Sequence, residues 1–239
     1  MAAATGSLTL VATPIGNLGD ITLRALEVLK SVSVILAEDT RHSRRLLNHY
    51  AINTPLVAYH DHNEARITPS LVERMQRGEK MALITDAGTP GISDPGFYLV
   101  RAALAAGIEV TTTPGPSALL AALTLSGFPC ETFIFVGFTP KKPGELAKVV
   151  EELVEEQRTT VFYVAPHQLR KVLDAIADRI PDREIAVAKE LTKLHEAVVR
   201  GTAADVKIKF APTMPQGEFV LIVRGIGWRR QKAGEAPSP

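Results

Sequence analysis

The chain is poor in several features, and each shortage narrows the reading. Cys130 is the only cysteine in 239 residues, so no internal disulfide can form, and a reduced, structural role is expected for it. No apolar run approaches the ~20 residues that a membrane-spanning helix needs. The opening Met1-Ala2-Ala3-Ala4-Thr5-Gly6 lacks the basic region and long apolar segment of a signal peptide. These absences point to a cytoplasmic protein without a membrane partner. An excess of one charge is also missing: 27 Lys and Arg stand against 26 Asp and Glu, a net charge of +1. Proteins that hold nucleic acid mainly by counterion release are usually far more basic, so free, nonspecific DNA or RNA binding is not expected. A local basic face or a structured ribonucleoprotein partner stays open. Neither a Walker A run nor Gly-x-Gly-x-x-Gly occurs, which argues against a nucleotide site of either kind. No internal repeat is visible.

Against these absences stand two Gly/Pro-rich loops. One is Thr85-Asp86-Ala87-Gly88-Thr89-Pro90-Gly91-Ile92-Ser93-Asp94-Pro95-Gly96, the other Thr111-Thr112-Thr113-Pro114-Gly115-Pro116-Ser117-Ala118. Each follows a strand-like apolar run and precedes an Ala/Leu-rich, helix-like one. Glycine lets backbone approach a ligand and proline holds the turn. Ligands of open α/β sheets bind at the carboxyl ends of the strands. Pro90, Pro95, Pro114 and Pro116 remove N–H donors that a phosphate would use. A polar but non-anionic ligand fits better, and S-adenosylmethionine is one.

Hydrophobic residues make up 46% of the chain, enough for a sizeable core. Leu8–Ala12, Val32–Ala37, Leu56–Tyr59, Met81–Thr85 and Glu109–Thr112 read as strands. Between them lie helical patterns: Asp20 would cap a helix carrying Leu23, Leu26 and Leu29, and Thr68-Pro69 would open one that stops at Gly78. Strands separated by helices imply a mainly parallel sheet. A helix from about Ser117 to Gly127 closes this half. Beyond Gly127-Phe128-Pro129, strand-like runs at 133–136, 160–164, 185–188 and 219–223 alternate with two amphipathic helices, implying a mixed sheet. The expected organisation is an α/β domain over 7–127, a second over 128–226, and a polar, disordered tail over 227–239.

Several ordered motifs carry a resemblance. Thr13-Pro14-Ile15-Gly16-Asn17-Leu18-Gly19-Asp20, Ala37-Glu38-Asp39-Thr40-Arg41, Asp86 to Gly96 and Thr113 to Ala118 together resemble the tetrapyrrole methylase superfamily. Lys189-Glu190-Leu191-Thr192-Lys193 with His195-Glu196 is similar to its ribosomal branch, the 16S rRNA (cytidine-2′-O)-methyltransferases. The resemblance spans roughly Leu8 to Gly225. It implies two α/β domains with S-adenosylmethionine in the cleft between them, a homodimer, and 2′-O-methylation of a decoding-centre cytidine in the small subunit. It places cofactor contacts at Thr13, Pro14 and Gly16, at Gly88, Thr89, Pro90 and Ile92, and at Ser117 and Ala118. Val164, Ala188 and Gly217 follow from the second domain. Tetrapyrrole-directed members often carry Gly-x-Gly-Pro-Gly and Gly-Asp-Pro. Here Ala12-Thr13-Pro14-Ile15-Gly16 and Gly88-Thr89-Pro90 stand instead, which favours the ribosomal branch.

Methyl transfer to a ribose hydroxyl needs a group to receive its proton. Asp39, Asp86, Lys189, Glu190, His195 and Glu196 are candidates. Lys189 with Glu190 is preferred as the catalytic pair, with Asp39 beside them, because a buried lysine can act as a base. The plain alternative is a solvated charged run. Arg41 and Arg45 share a helical face and suit RNA phosphate, or ordinary surface ion pairs. His60 and His62 alternate as on a strand, but no further ligand accompanies them, so a metal site is not expected and a polar loop after Leu56–Tyr59 is the plain reading; the resemblance to the ribosomal branch, which has such a loop, implies a substrate contact. His195 and Glu196 join the RNA-facing set. A tetrapyrrole methyltransferase and a noncatalytic ribosome-assembly factor remain as alternatives.

Overall fold

The computed structural model describes residues 6–211 and 215–227. Of the expected tail, residues 228–239 lie outside the described residues. The chain forms two compact units, Met1–Ser117 and Ala118–Pro239.

The first unit runs β1 (Ser7–Val11), α1 (Leu23–Ser31), β2 (Val34–Ala37), α2 (Thr40–His49), β3 (Leu56–Ala58), α3 (Glu64–Gln76), β4 (Lys80–Ile84), α4 (Phe97–Ala105) and β5 (Glu109–Thr113). Its sheet has the order β3-β2-β4-β1-β5, and every pairing is parallel. Both faces are covered, which explains why the strands read as continuous apolar runs rather than alternating ones. Leu36 and Leu83 point to one face with Leu71 and Met75 of α3 and Leu99 of α4. Their neighbours Ile35, Ala82 and Ile84 point to the other with Ala25 and Leu29 of α1 and Leu46 and Leu47 of α2. Each such fully buried Leu or Ile contributes roughly 1.5–3 kcal/mol. β1 and β4 are neighbours, yet their following helices pack on opposite faces. Such a divergence leaves a crevice at the carboxyl ends of the two strands.

Two helix starts differ from the sequence reading. Asp20 ends a short 3-10 turn, Leu18–Asp20, and Thr22 caps α1 by accepting from the Ala25 N–H at 3.1 Å. Helix α3 begins at Glu64 and carries Pro69 inside it, so Thr68-Pro69 is not its opening. Pro69 withholds the N–H that Ala65 would accept. Both residues are exposed, which leaves that carbonyl open to water.

The second unit runs α5 (Ala118–Ser126), β6 (Phe133–Phe138), α6 (Pro143–Glu155), β7 (Thr159–Val164), α7 (Leu169–Arg179), β8 (Glu184–Lys189), β9 (Ala197–Thr202), α8 (Ala203–Phe210) and β10 (Phe219–Val223). The sheet order is β6-β7-β10-β8-β9, parallel between β6 and β7 and antiparallel elsewhere. The mixed sheet is as expected, while β9 and α8 are additional. Phe162, Val187 and Leu221 face α6, α7 and α8. The alternate residues Val161, Ala186 and Ile222 are equally buried on the other face, and α5 packs against β7, β8 and β10. That packing assigns α5 to the second unit, so the division falls ahead of Gly127-Phe128-Pro129. Cys130 is a free thiol on the surface and not a packing residue, a correction to its expected structural role. Among the described residues no helix is long and apolar enough to cross a membrane.

Candidate active site

Three loops meet at the carboxyl ends of β4, β1 and β5. Thr13 and Gly88 form an isolated antiparallel bridge: the Thr13 N–H donates to the Gly88 carbonyl at 2.9 Å, and the Gly88 N–H returns to the Thr13 carbonyl at 3.0 Å. Gly88 has φ +83°, a conformation side chains rarely adopt. The Thr13 hydroxyl, buried, donates to the Thr85 carbonyl at 3.1 Å. Thr89 lacks the carboxylate of a Gly-Asp-Pro loop, and its hydroxyl instead donates to the Pro116 carbonyl at 3.3 Å. A Cβ on Gly115 would lie 3.0 Å from the Ala12 Cβ, so the third loop lies against the first.

These bonds bring Thr13, Gly88 and Thr89 together beside Pro116, with Ser117 next in the chain. Pro14 and Gly16 follow Thr13 into the turn, Gly16 exposed. Pro90 is buried, and Ile92 is exposed and donates its N–H to the Thr89 carbonyl at 3.2 Å. Ala118 opens α5 and is counted with the second unit.

Carboxylates gather at the neighbouring strand ends. The Asp39 N–H donates to Asp86 Oδ1 at 3.1 Å. Burial, the charge of Asp86 and that of Asp61 push the Glu38 carboxyl up. Burial, Glu38 and Asp86 push Asp94 up to about 7, against a hydrogen bond from Thr85. Asp94 lies inside the Gly/Pro-rich loop Thr85–Gly96 and is a further acidic group at this strand end. Its signal was the spacing Asp86 to Asp94, which returns a second acid to one strand end. Carboxylates here repel a phosphate and suit a cationic ligand, so the donor set fits a sulfonium cofactor better than a nucleotide.

Other candidates take different places. Asp39 caps α2: its Oδ1 accepts from the Arg41 N–H at 2.7 Å and the His42 N–H at 3.4 Å, and the first of these bonds holds its carboxyl below the usual range. Asp39 is thus engaged as the cap of α2. Arg41 is 92% exposed in its side chain, and Arg45 is exposed one turn on. His60 and His62 meet edge to face with ring centroids 5.9 Å apart, and His60 Nδ1 is buried without a hydrogen-bond partner. Among the described residues no group of three His, Cys, Asp or Glu could hold a metal ion.

In the second unit, Phe219 pairs with Val164 on one side and with Lys189 on the other, and Ala188 pairs with Val220. Val164, Ala188 and Gly217 are thereby brought to one end of this sheet. The Val164 side chain belongs to the core, which leaves only its backbone for a ligand. Lys189 ends β8 half-buried. Burial raises the Glu190 carboxyl, but a bond from Lys193 and one from the Glu218 N–H outweigh it and leave the group below its ordinary value. His195 is exposed, and Glu196 Oε2 accepts from the Thr192 N–H at 2.5 Å.

A parallel sheet with Gly/Pro loops stitched at its strand ends, followed by a mixed sheet, is the architecture of a known enzyme class. Residues 7–207 match the family described as Tetrapyrrole (Corrin/Porphyrin) Methylases, and this chain belongs to that family. Within it, the chain is 51% identical over 223 residues to the Ribosomal RNA small subunit methyltransferase I of Xylella fastidiosa, covering 92% of this chain and 82% of the relative. It is 47% identical over 221 residues to the protein of the same name from Synechocystis sp., covering 92% and 79%. Among solved structures, the methyltransferase CobJ superposes with a TM-score of 0.67 over 95% of this chain and 97% of its own, at 22% identity, a likeness of fold.

Proposed function

We propose that this chain is an S-adenosylmethionine-dependent methyltransferase of small-subunit ribosomal RNA. The acceptor is the 2′-hydroxyl of a decoding-centre cytidine in 16S rRNA, and the enzyme acts in the cytoplasm as a homodimer. The observation that carries this reading is the Thr13–Gly88 bridge with its Thr89–Pro116 tie, in a chain 51% identical to a protein named Ribosomal RNA small subunit methyltransferase I.

Bound at these loops, the cofactor supplies a methyl group on a positively charged sulfur. Thr13, Gly88 and Thr89 hold a surface of fixed backbone against which such a ligand seats without a phosphate. The acidic strand ends at Glu38, Asp86 and Asp94 favour its positive charge. The chain must also place the hydroxyl oxygen in line, at ~3–3.5 Å from the carbon it attacks. The hydroxyl proton needs a destination, and a general base typically contributes ~10²–10⁴-fold. We assign this role to Lys189, at the end of β8. Arg41 and Arg45, exposed on α2, meet RNA phosphate, and His60, His62, His195 and Glu196 lie toward the substrate.

The test is methyl transfer from labelled S-adenosylmethionine to small subunits lacking the modification, with naked rRNA and large subunits alongside. A single 2′-O-methylcytidine on the small subunit is the expected product, and Lys189→Ala should lose turnover while binding cofactor normally. Cofactor binding without transfer would favour a tetrapyrrole substrate, and failure there the noncatalytic assembly role.

A further inference from the structure

β8 does not simply end at Lys189. Glu190 has φ +51° and Thr192 φ +65°, two non-glycine residues in the left-handed region within three positions. Such backbone persists only where surrounding bonds hold it, and those bonds converge on Glu190. Its N–H donates to the Glu218 carbonyl at 2.9 Å. Its Oε1 accepts from the Glu218 N–H at 2.9 Å and from Lys193 Nζ at 2.9 Å. Lys193 Nζ also lies 3.1 Å from Glu218 Oε2. Gly217, at φ +99°, completes the arrangement: a Cβ there would sit 2.6 Å from Glu190 Cδ and Oε1. The carboxyl group fills the space that any side chain at 217 would take.

We propose that Glu190 is a positioning residue, whose carboxylate clasps the Gly217–Glu218 turn and Lys193 to the end of β8. The clasp keeps Ala188 and Gly217, the second-unit cofactor contacts, in register across the β8–β10 pair, and to that extent it rests on the function proposed above. Two lines of geometry favour a clasp over a proton acceptor. Both bonds to the side chain land on one oxygen, and both bind chain elements rather than an open space. The carboxyl is also held below its usual range, the wrong direction for a general base.

The two roles separate by substitution. A glutamine can keep both bonds at its amide oxygen, because only acceptance is required there. An alanine loses both. For Glu190→Ala we expect cofactor binding weakened about tenfold, the size of one charge-assisted bond, with turnover at saturating cofactor within about threefold of wild type. Glu190→Gln should restore affinity to within about threefold. The readouts are calorimetric binding of S-adenosylhomocysteine and the split between KM for the methyl donor and kcat. Amide hydrogen exchange over 189–196 and 215–219, without ligand, reads the clasp by itself. It should accelerate in the alanine variant and recover in the glutamine variant.

A loss of about 100-fold in kcat for Glu190→Gln, at unchanged KM, would make Glu190 the base and overturn the inference. Unchanged exchange in a folded Glu190→Ala would overturn it equally. Should that variant fail to fold, Gly217→Ala decides. Its Cβ meets the carboxyl group, so it should accelerate exchange beside Glu190, and it should cost less than additivity predicts when paired with Glu190→Asp, whose shorter side chain withdraws the carboxyl from that space. Full additivity would sink the clasp. Wild-type protein that binds no S-adenosylhomocysteine would count against the proposed function, while the exchange data would still judge the clasp.

Discussion

Thr13 and Gly88 exchange both of their backbone hydrogen bonds, at 2.9 and 3.0 Å, although neither belongs to a strand of the sheet. The bridge extends the β1–β4 pairing past its parallel register and turns it antiparallel. It converts two separate turns into one fixed surface at the strand ends. The buried Thr13 hydroxyl, donating to Thr85, ties the bridge back to β4.

Replacing Thr13 by Val keeps the shape and removes that donor. The Thr85 carbonyl would then be buried unsatisfied, which costs ~1–3 kcal/mol. Urea unfolding should show a lower midpoint with an unchanged slope, and cofactor affinity should fall with it. An unchanged midpoint would mean that water replaces the hydroxyl.

Gly115→Ala isolates crowding from backbone strain. Its added Cβ would stand 3.0 Å from Ala12, and Gly115 does not need the left-handed region. Cofactor affinity should drop about tenfold or more while stability changes by ~1 kcal/mol, as expected of a small shift in a tight contact. Gly88→Ala, at φ +83°, adds about 1 kcal/mol or more of conformational strain and should be the more destabilised of the two.

Asp94 sets a pH dependence of defined sign. In the unfolded chain it ionises near 3.8, and in the folded chain at about 7, through burial and the charges of Glu38, Asp86 and Asp61. Between those values the folded state binds the extra proton, so this group's contribution to stability falls as pH rises from about 4 to about 7. Asp94→Asn should therefore be the more stable protein at pH 8, by ~1–2 kcal/mol once solvent screening is allowed for. The advantage should vanish at pH 4. Thermal unfolding at both pH values measures it, and a larger gain at the acid end would refute the assignment.

The basic face of α2 should matter only when RNA is present. Arg41→Ala with Arg45→Ala removes two exposed cations, so melting should move by no more than ~0.5 kcal/mol each. Binding to small subunits should weaken, and its dependence on salt should become shallower by about one unit of slope per lost phosphate contact. Equal salt slopes for variant and wild type would place these arginines away from RNA.

The parallel sheet, the mixed sheet and the strand-end loops could be read from the sequence because apolar runs and Gly/Pro turns are local signals. The start of α3 could not, since Thr68-Pro69 imitates a helix opening and only tertiary packing of Leu71 and Met75 reveals that the helix is already under way. β9 was hidden by Arg200 and Gly201, which break its strand-like pattern. At the site, the capping bonds of Asp39 follow from the helix that starts just after it, whose boundary the sequence reading of that run did not place. The role of Glu190 depends on Glu218, whose distance along the chain leaves no local trace.

The placement of β1 has a consequence for the order in which the chain is made. Both of its partners, Lys80–Ile84 and Glu109–Thr113, come far later in the chain than β1 itself. At ~5–20 residues per second, the segment carrying Leu8, Leu10 and Val11 waits on the order of several seconds for its first edge to be covered, and longer for the second. This apolar stretch is thus made well before either of its edges can be enclosed, whereas β4 and β5 find a partner already synthesised.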